Sequence, residues 1–180
     1  MAELFNANPI VISTGTASQQ RKVPSGKRSL WVDENEDDSG LGSEDEELID
    51  SDEVFDLIRS ITDPEHSTMT LEQLAVVSAP QIDISHERNR VLVEFTPTVP
   101  HCGMSTLIGL AIRVRLLRSL PPRFKIDIKL KPGSHQSESS VNKQLNDKER
   151  VAAALENPAL VEALEGCLVS AGKRGRPLLD

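Results

Sequence analysis

The chain has 180 residues, a net charge of −8 at neutral pH and two cysteines. This length accommodates one domain with additional segments. Two cysteines outside any Cys-x-x-Cys pattern exclude a disulfide framework and a zinc-ribbon site, and they favour a reducing compartment. No apolar run approaches the roughly 20 residues that span a bilayer, and the first residues lack a basic region followed by an apolar core. We therefore predict a soluble intracellular protein with no membrane partner.

Charge is distributed unevenly along the chain. From Asp33 to Glu53 there are twelve acidic residues and no Lys or Arg, whereas the chain after Glu53 contains sixteen basic and fifteen acidic residues. The acidic run cannot bury enough apolar surface to fold alone. We predict a disordered acidic tail over residues 1–50, a folded domain over 51–171 and a flexible C-terminal tail over 172–180. The near-neutral domain argues against direct binding to nucleic acid.

Helical spacing of apolar residues predicts a first helix that begins at Ser51 as N-cap and ends at Asp63-Pro64. A short helical turn at 70–74 and a brief strand at 76–77 are predicted next. Apolar residues then alternate with polar ones on both sides of a polar stretch, which predicts a β-hairpin with strands at 82–84 and 91–95.

The segment between Pro100 and Pro121 is ambiguous, because part of it alternates as a strand would. Its unbroken length favours a helix over 107–120, and this helix is apolar around most of its circumference, so it must be covered on more than one face. A strand at 124–130 and helices at 140–155 and from Asn157-Pro158 to Gly172 follow. The pattern as a whole predicts an α/β (α+β) fold: a small mixed sheet with a β-hairpin, packed by several helices.

Cys102 is the first candidate for chemistry, because it follows a β-like run and precedes the predicted start of a helix. The first amides of a helix have no intrahelical acceptor and the helix dipole is positive there, so a thiolate is stabilised. The alternative is a buried, inert cysteine that packs as a small hydrophobe. The surrounding Pro100, His101 and Gly103 weaken this alternative, because such a junction shapes the backbone, but they leave both interpretations open.

Several motifs resemble one known family. They include Asp63-Pro64-Glu65-His66 and Pro100-His101-Cys102, together with the blocks at 6–9, 53–61, 95–98, 116–121, 141–145 and 147–157. In these blocks the chain is similar to the cytosolic iron–sulfur assembly component two family, also called MIP18-like proteins, and to its mitotic-spindle-associated form. The departures from the family pattern are Gly103, where relatives often carry Ser, and the extension at 173–180.

The resemblance implies a non-enzymatic adaptor subunit of the cytosolic iron–sulfur targeting complex, present in cytoplasm and nucleus. Its partners would be a WD40-propeller subunit, a HEAT-repeat scaffold and apo iron–sulfur client proteins of DNA metabolism, with a link to chromosome segregation. It also implies that Cys102 is the reactive thiol. One thiolate cannot hold a cluster stably, so we expect no resident cofactor and at most a transient iron–sulfur cluster. A monomer and a homodimer both agree with the sequence.

Two other kinds of chemistry are compatible with the same residues. A thiol enzyme would use Cys102 with His101, His66 or His135 as base. A metal site could draw on the same cysteine and the same three histidines, although no regular ligand spacing supports it.

Two further groups of residues carry alternative interpretations. Asp63 and Glu65 resemble an acid/base pair, but an Asp-Pro turn is usually structural, with the carboxylate accepting from nearby backbone amides. Arg113, Arg115 and Arg118 form either a partner interface, with directional hydrogen bonds to acidic groups, or a solvated face.

Overall fold

A computed structural model describes residues 48–99 and 103–171 of the chain. The described ranges contain five α-helices, a three-stranded sheet and a short 3₁₀ turn, so the predicted α+β class is confirmed. The predicted tails at 1–50 and 172–180 lie outside these ranges, apart from the three residues before Ser51. In chain order the elements are α1 Ser51–Ile58, the 3₁₀ turn Ala79–Gln81, β1 Ile82–Ser85, β2 Arg90–Phe95, α2 Met104–Ser119, β3 Lys125–Leu130, α3 Glu138–Asn146, α4 Lys148–Leu155 and α5 Pro158–Leu168.

The sheet has the order β1-β2-β3 and is mixed, as predicted. Strands β1 and β2 form the expected antiparallel hairpin, whose turn contains Asn89 with a positive φ of 47°. Strands β2 and β3 are parallel, with Phe95 opposite Leu130. Because parallel neighbours need a long crossover, the chain passes through α2 between them. Alternate residues of β2 and β3 are buried, so one face of the sheet packs on the core.

Helix α2 is the centre of the domain, and 11 of its 16 residues are buried. It packs against α1, α3, α5 and β3, which confirms that more than one face is covered. At Gly109 the backbone approaches α3 and β2 so closely that a Cβ would lie 2.9 Å from Leu145 Cδ2 and 3.2 Å from Phe95 Cζ. No helix within the described ranges combines the length and the apolar composition that crossing a bilayer requires.

Three local predictions were wrong in detail. Helix α1 is capped by Asp50 instead of Ser51: the backbone N–H of Glu53 donates to Asp50 Oδ1 at 2.7 Å, and the Glu53 side chain accepts from Asp50 N–H. It also ends at Ile58, before the predicted stop. The predicted helical turn at 70–74 is present, since Leu74 N–H donates to Thr70 C=O at 3.1 Å. The segment at 76–77 is not a strand: Val76 lies in a bend that follows Ala75, which takes a positive φ of 53°.

The predicted helix at 140–155 is two helices that meet at Asp147. Its carboxylate accepts from the backbone N–H groups of Glu149 and Arg150, at 3.0 and 3.4 Å, and thereby starts α4. In contrast, the predicted cap of the last helix is confirmed, since Asn157 accepts from Ala159 N–H and Pro158 opens α5.

Candidate functional site at the Asp63 turn

Asp63 organises the turn between α1 and the core. Its backbone N–H donates to Met69 C=O at 3.0 Å, and its side chain is fully buried. Oδ1 accepts from the backbone N–H groups of Glu65 and His66, at 2.7 and 3.0 Å. This carboxylate therefore has the structural role that an Asp-Pro turn predicts.

His66 is held by the same carboxylate. Its Nδ1 lies 3.3 Å from Asp63 Oδ1, and in the neutral ring a proton on Nδ1 leaves Nε2 as an acceptor. His66 Nε2 and Asp63 Oδ2 are both buried, and neither has a hydrogen-bond partner in the part of the chain that the structure describes. The turn thus offers one imidazole nitrogen and one carboxylate oxygen for further contacts.

A groove of about 500 Å³ joins this turn to two helices. Asp63 and Pro64 lie on one side, Met104 and Leu107 of the first turns of α2 on another, and Cys167 of α5 on a third. Met104, on the α2 side of the groove, is 42% exposed. Three segments that are distant in sequence therefore meet beside the start of α2.

The start of α2 lies immediately after the predicted reactive segment. Gly103 occupies the N-cap position with φ −62° and ψ −18°, and it has no side chain to cap the helix. The first turn carries no acidic residue, so within it no carboxylate offsets the positive end of the dipole. Cys102 and His101 themselves lie outside the described residues, and their assigned roles stay predictions.

Cys167 is a site residue that sequence reasoning missed. It is only 5% exposed, and its C=O accepts from Thr62 N–H at 3.0 Å, which ties α5 to the Asp63 turn. Burial raises the pKa of its thiol, and the negative charge of Asp63 raises it further. In the sequence, Cys167 is only one more apolar position on the last helix, so nothing local marks it.

The remaining candidates are distributed more widely. Glu65 is exposed whereas Asp63 is fully buried. The two carboxyl groups of the predicted acid/base pair therefore lie in very different surroundings. His135 lies in the loop before α3, where its Nδ1 accepts from Ser137 N–H at 3.0 Å. No three His, Cys, Asp or Glu side chains within residues 48–99 and 103–171 are arranged to hold a metal ion. The metal set that includes Cys102 and His101 extends beyond those residues.

The three arginines of α2 do not form one exposed face, and this expectation was wrong for two of them. Arg113 is 7% and Arg115 4% exposed, and burial lowers the pKa of both. Arg113 Nη1 donates to the C=O groups of Ile126 and Leu145, while Arg115 Nε donates to Leu57 C=O. Only Arg118 is exposed, and it pairs with Glu165 at 3.0 Å. Of the three, Arg118 alone exposes its side chain on the surface.

Comparison with known proteins identifies the class. A family described as iron–sulfur cluster assembly protein matches residues 51–130, which include the Asp63 turn and all of α2. The mouse "Cytosolic iron-sulfur assembly component 2B" is 53% identical over 92% of this chain and 91% of that protein. The Arabidopsis thaliana "Protein AE7" is 51% identical over 93% and 96%, and the Drosophila melanogaster "MIP18 family protein galla-2" is 59% identical over 68% and 78%.

Identities above 50%, over more than nine-tenths of both chains for the mouse and Arabidopsis proteins, exceed what a shared fold alone requires. The chain belongs to the MIP18 family of iron–sulfur cluster assembly proteins. The predicted resemblance is thereby confirmed.

Proposed function

We propose that this protein is a non-catalytic adaptor subunit of a cytosolic iron–sulfur targeting complex, which helps to insert clusters into apo-proteins of DNA metabolism. The observation that carries the proposal is the similarity, over more than nine-tenths of both chains, to a mouse protein named as a cytosolic iron–sulfur assembly component. The subunit would act in cytoplasm and nucleus, and its clients would provide the link to chromosome segregation.

In this proposal Cys102 is the reactive thiol. It precedes an N-cap without a side chain and a helix whose first turn lacks acidic residues, which favours a thiolate in that stretch of sequence. Thiolate sulfur is a suitable ligand for iron–sulfur clusters, but stable clusters generally have four protein ligands. A cluster on Cys102 would be held transiently, with its other ligands supplied by a partner, a client or a second copy.

The adaptor role calls for surfaces that hold neighbouring subunits, a WD40 propeller and a HEAT-repeat scaffold. Arg118 is the candidate contact on α2, because its guanidinium is exposed and can form directional hydrogen bonds with acidic groups. Affinity purification of the full chain from cells should recover both kinds of subunit. Isolation of the chain without either of them would contradict the adaptor role.

Cluster delivery with Cys102→Ser in the otherwise intact complex tests the thiol. We expect delivery to an apo-client to be lost, while Ser139→Ala, an exposed change on α3, leaves it unchanged. Both complexes should assemble equally well, since the proposal assigns Cys102 no role in binding subunits. Undiminished delivery by Cys102→Ser would remove the sulfur from the mechanism.

The hydrogen bond between Asp63 and His66 favours one second candidate, a thiol-dependent enzyme. A carboxylate that orients an imidazole and leaves Nε2 as acceptor is the arrangement that activates a nucleophilic cysteine. Assays with hydrolase and peroxidase substrates separate the two functions. Turnover that is lost in both Cys102→Ala and His66→Gln would support the enzyme, and absence of turnover would leave the adaptor.

A further inference from the structure

The groove beside α2 and α5 has an apolar surface that the proposed function does not use. Met104 and Leu107 line it from α2, and Ala163, Gly166 and Val169 line it from α5. Met104 is 42% and Val169 67% exposed, although side chains of this kind are more stable when they are buried. With a volume of about 500 Å³, the groove has room for side chains of another segment.

The described part of the chain ends at the rim of this groove. Ser170 is one of the lining residues, and its hydroxyl donates to Ser60 C=O at 2.6 Å and lies 2.8 Å from Thr62 Oγ1. Ala171, the last described residue, is fully buried. The segment at 172–180 therefore starts from a fixed point beside the groove.

The segment at 172–180 combines three basic residues with the apolar sequence Pro177-Leu178-Leu179. Leu178 lies seven residues after Ala171, and a chain of that length spans at most about 23–25 Å. Two glycines in the segment permit the turns that a return towards the groove requires. Pro177 has a fixed φ, so less conformational freedom is lost when the leucines become ordered. Both leucines can therefore reach the groove.

Charge favours this segment over the acidic one near the other end of the chain. Glu162 is exposed on α5, one helical turn before Gly166, and so lies beside the groove. Asp63 adds a carboxylate to the lining, and no Lys or Arg is among the described residues that line it. The basic residues of 172–180 are attracted to such a rim, whereas the twelve acidic residues at 33–53 are repelled by it.

We propose that the segment at 172–180 folds back over the groove and packs Leu178 and Leu179 against Met104 and Val169. Its basic residues then lie along the acidic rim. The covalent connection keeps the effective concentration of the segment in the mM range, so modest contacts suffice for docking. The groove is thus an interaction surface for a basic segment with an apolar end, and an external peptide of that chemistry binds only by displacing the chain's own segment. The inference does not involve Cys102 and goes beyond the proposed function.

Disulfide trapping in the full chain tests the docked position. In a background of Cys102→Ser and Cys167→Ala, Met104→Cys with Leu178→Cys leaves two thiols, and Met104→Cys with Gly175→Cys is the matched control. A free segment brings position 175 to α2 at least as often as position 178, because loop closure depends only weakly on length. In oxidised glutathione we expect the 178 pair to form an intramolecular disulfide at least about tenfold faster than the 175 pair. Equal rates for the two pairs would overturn the proposal.

The product and the rim charge provide further tests. A disulfide that joins two chains, and forms faster at higher protein concentration, would place a second copy in the groove and contradict docking within one chain. Glu162→Lys should slow the 178 disulfide at least about threefold. Glu156→Lys, the same change at an exposed position after α4, should leave its rate unchanged. Equal rates in these two variants would contradict the charge complementarity on which the choice of this segment depends.

If Cys167→Ala does not fold, alkylation of Cys167 in a Cys102→Ser background provides the test. Cys167 lines the groove, so Leu178→Ser with Leu179→Ser should raise its alkylation rate at least about threefold by removing the cover. Leu117→Ser is the control, because Leu117 is an exposed leucine of α2 outside the groove lining. An unchanged rate in the double variant would contradict the docking. Because both backgrounds lack Cys102, failure here leaves the delivery experiment of the proposed function untouched.

Discussion

The Asn146 side chain forms with Ile128 the two backbone hydrogen bonds that a neighbouring strand would otherwise form. Its Oδ1 accepts from Ile128 N–H at 3.0 Å, and its Nδ2 donates to Ile128 C=O at 2.7 Å, so one side chain satisfies both backbone groups of an edge residue. Asn142 does the same for the N–H of Leu130, at 2.8 Å. The outer edge of β3, which would otherwise present unpaired groups, is therefore closed by α3.

This relationship predicts the effect of Asn146→Leu. The substitution keeps an apolar contact but leaves the N–H and C=O of Ile128 without these partners, so we expect the free energy of unfolding to fall by about 2–4 kcal/mol. Urea denaturation of the full chain measures it. Lys143→Ala, an exposed change on the same helix, should stay within about 0.5 kcal/mol. Equal urea midpoints for Asn146→Leu and Lys143→Ala would contradict this prediction, because water would then satisfy the backbone groups of Ile128 as well as the asparagine does.

The division between α3 and α4 shows where sequence patterns stop being informative. Strand alternation in β2 and β3 and the Asn157-Pro158 cap are local signals, and these predictions were confirmed. Beside the break at Asp147, the Asn146 side chain bonds to Ile128 of β3, a tertiary contact that no local pattern indicates.

The same reasoning applies to the site. The spacing of apolar residues correctly indicated that α2 is covered on several sides, but not that backbone carbonyls accept there from the guanidinium groups of Arg113 and Arg115. The groove joins Asp63, Met104 and Cys167 across more than 100 residues. Only the start of α2 and the Asp63 turn were recognisable as separate local motifs.

Two glycines in helices should respond oppositely to alanine. At Gly109 an added Cβ would lie too close to both Cδ atoms of Leu145 and near Phe95, in the core, so we expect Gly109→Ala to cost about 1–3 kcal/mol. At Gly166 nothing described lies within 4 Å, and alanine favours the helical backbone, so Gly166→Ala should stabilise by about 0.5–1 kcal/mol. Thermal melts of both variants measure this. The same sign for both would contradict the packing at Gly109.

Substitutions of Arg113 and Arg118 should affect different properties: the first the stability of the fold, the second the binding of a partner. Arg113→Ala removes donors to the C=O groups of Ile126 and Leu145 in the interior, so we expect a loss of about 2–4 kcal/mol of unfolding free energy. Arg118→Ala breaks an exposed ion pair with Glu165 and should cost less than about 1 kcal/mol.

The two variants should also differ in the assembled complex. In a pull-down at a temperature where both are folded, we expect only Arg118→Ala to weaken retention of a partner subunit. Glu165→Gln is the control, because it breaks the same ion pair but leaves the arginine. Weakened retention by Glu165→Gln to the same extent would trace the effect to the ion pair and not to a partner contact of Arg118.

Cys167 should make stability depend on pH in the alkaline range. Burial, and secondarily the charge of Asp63, raise the pKa of this thiol above its ordinary value of 9.0, so the folded chain holds the proton more tightly than the unfolded chain. The stabilisation is therefore complete below pH 9 and is lost as the pH rises through the folded-state pKa. In Cys167→Ala this part of the alkaline loss should be absent, which urea denaturation with a chelator and a reductant present will measure. Alkylation followed by mass spectrometry provides a second readout: at neutral pH, Cys167 should react far more slowly than in the unfolded chain, because burial shields its sulfur and the raised pKa lowers its thiolate fraction further. Parallel pH profiles for the parent and Cys167→Ala would contradict the raised pKa.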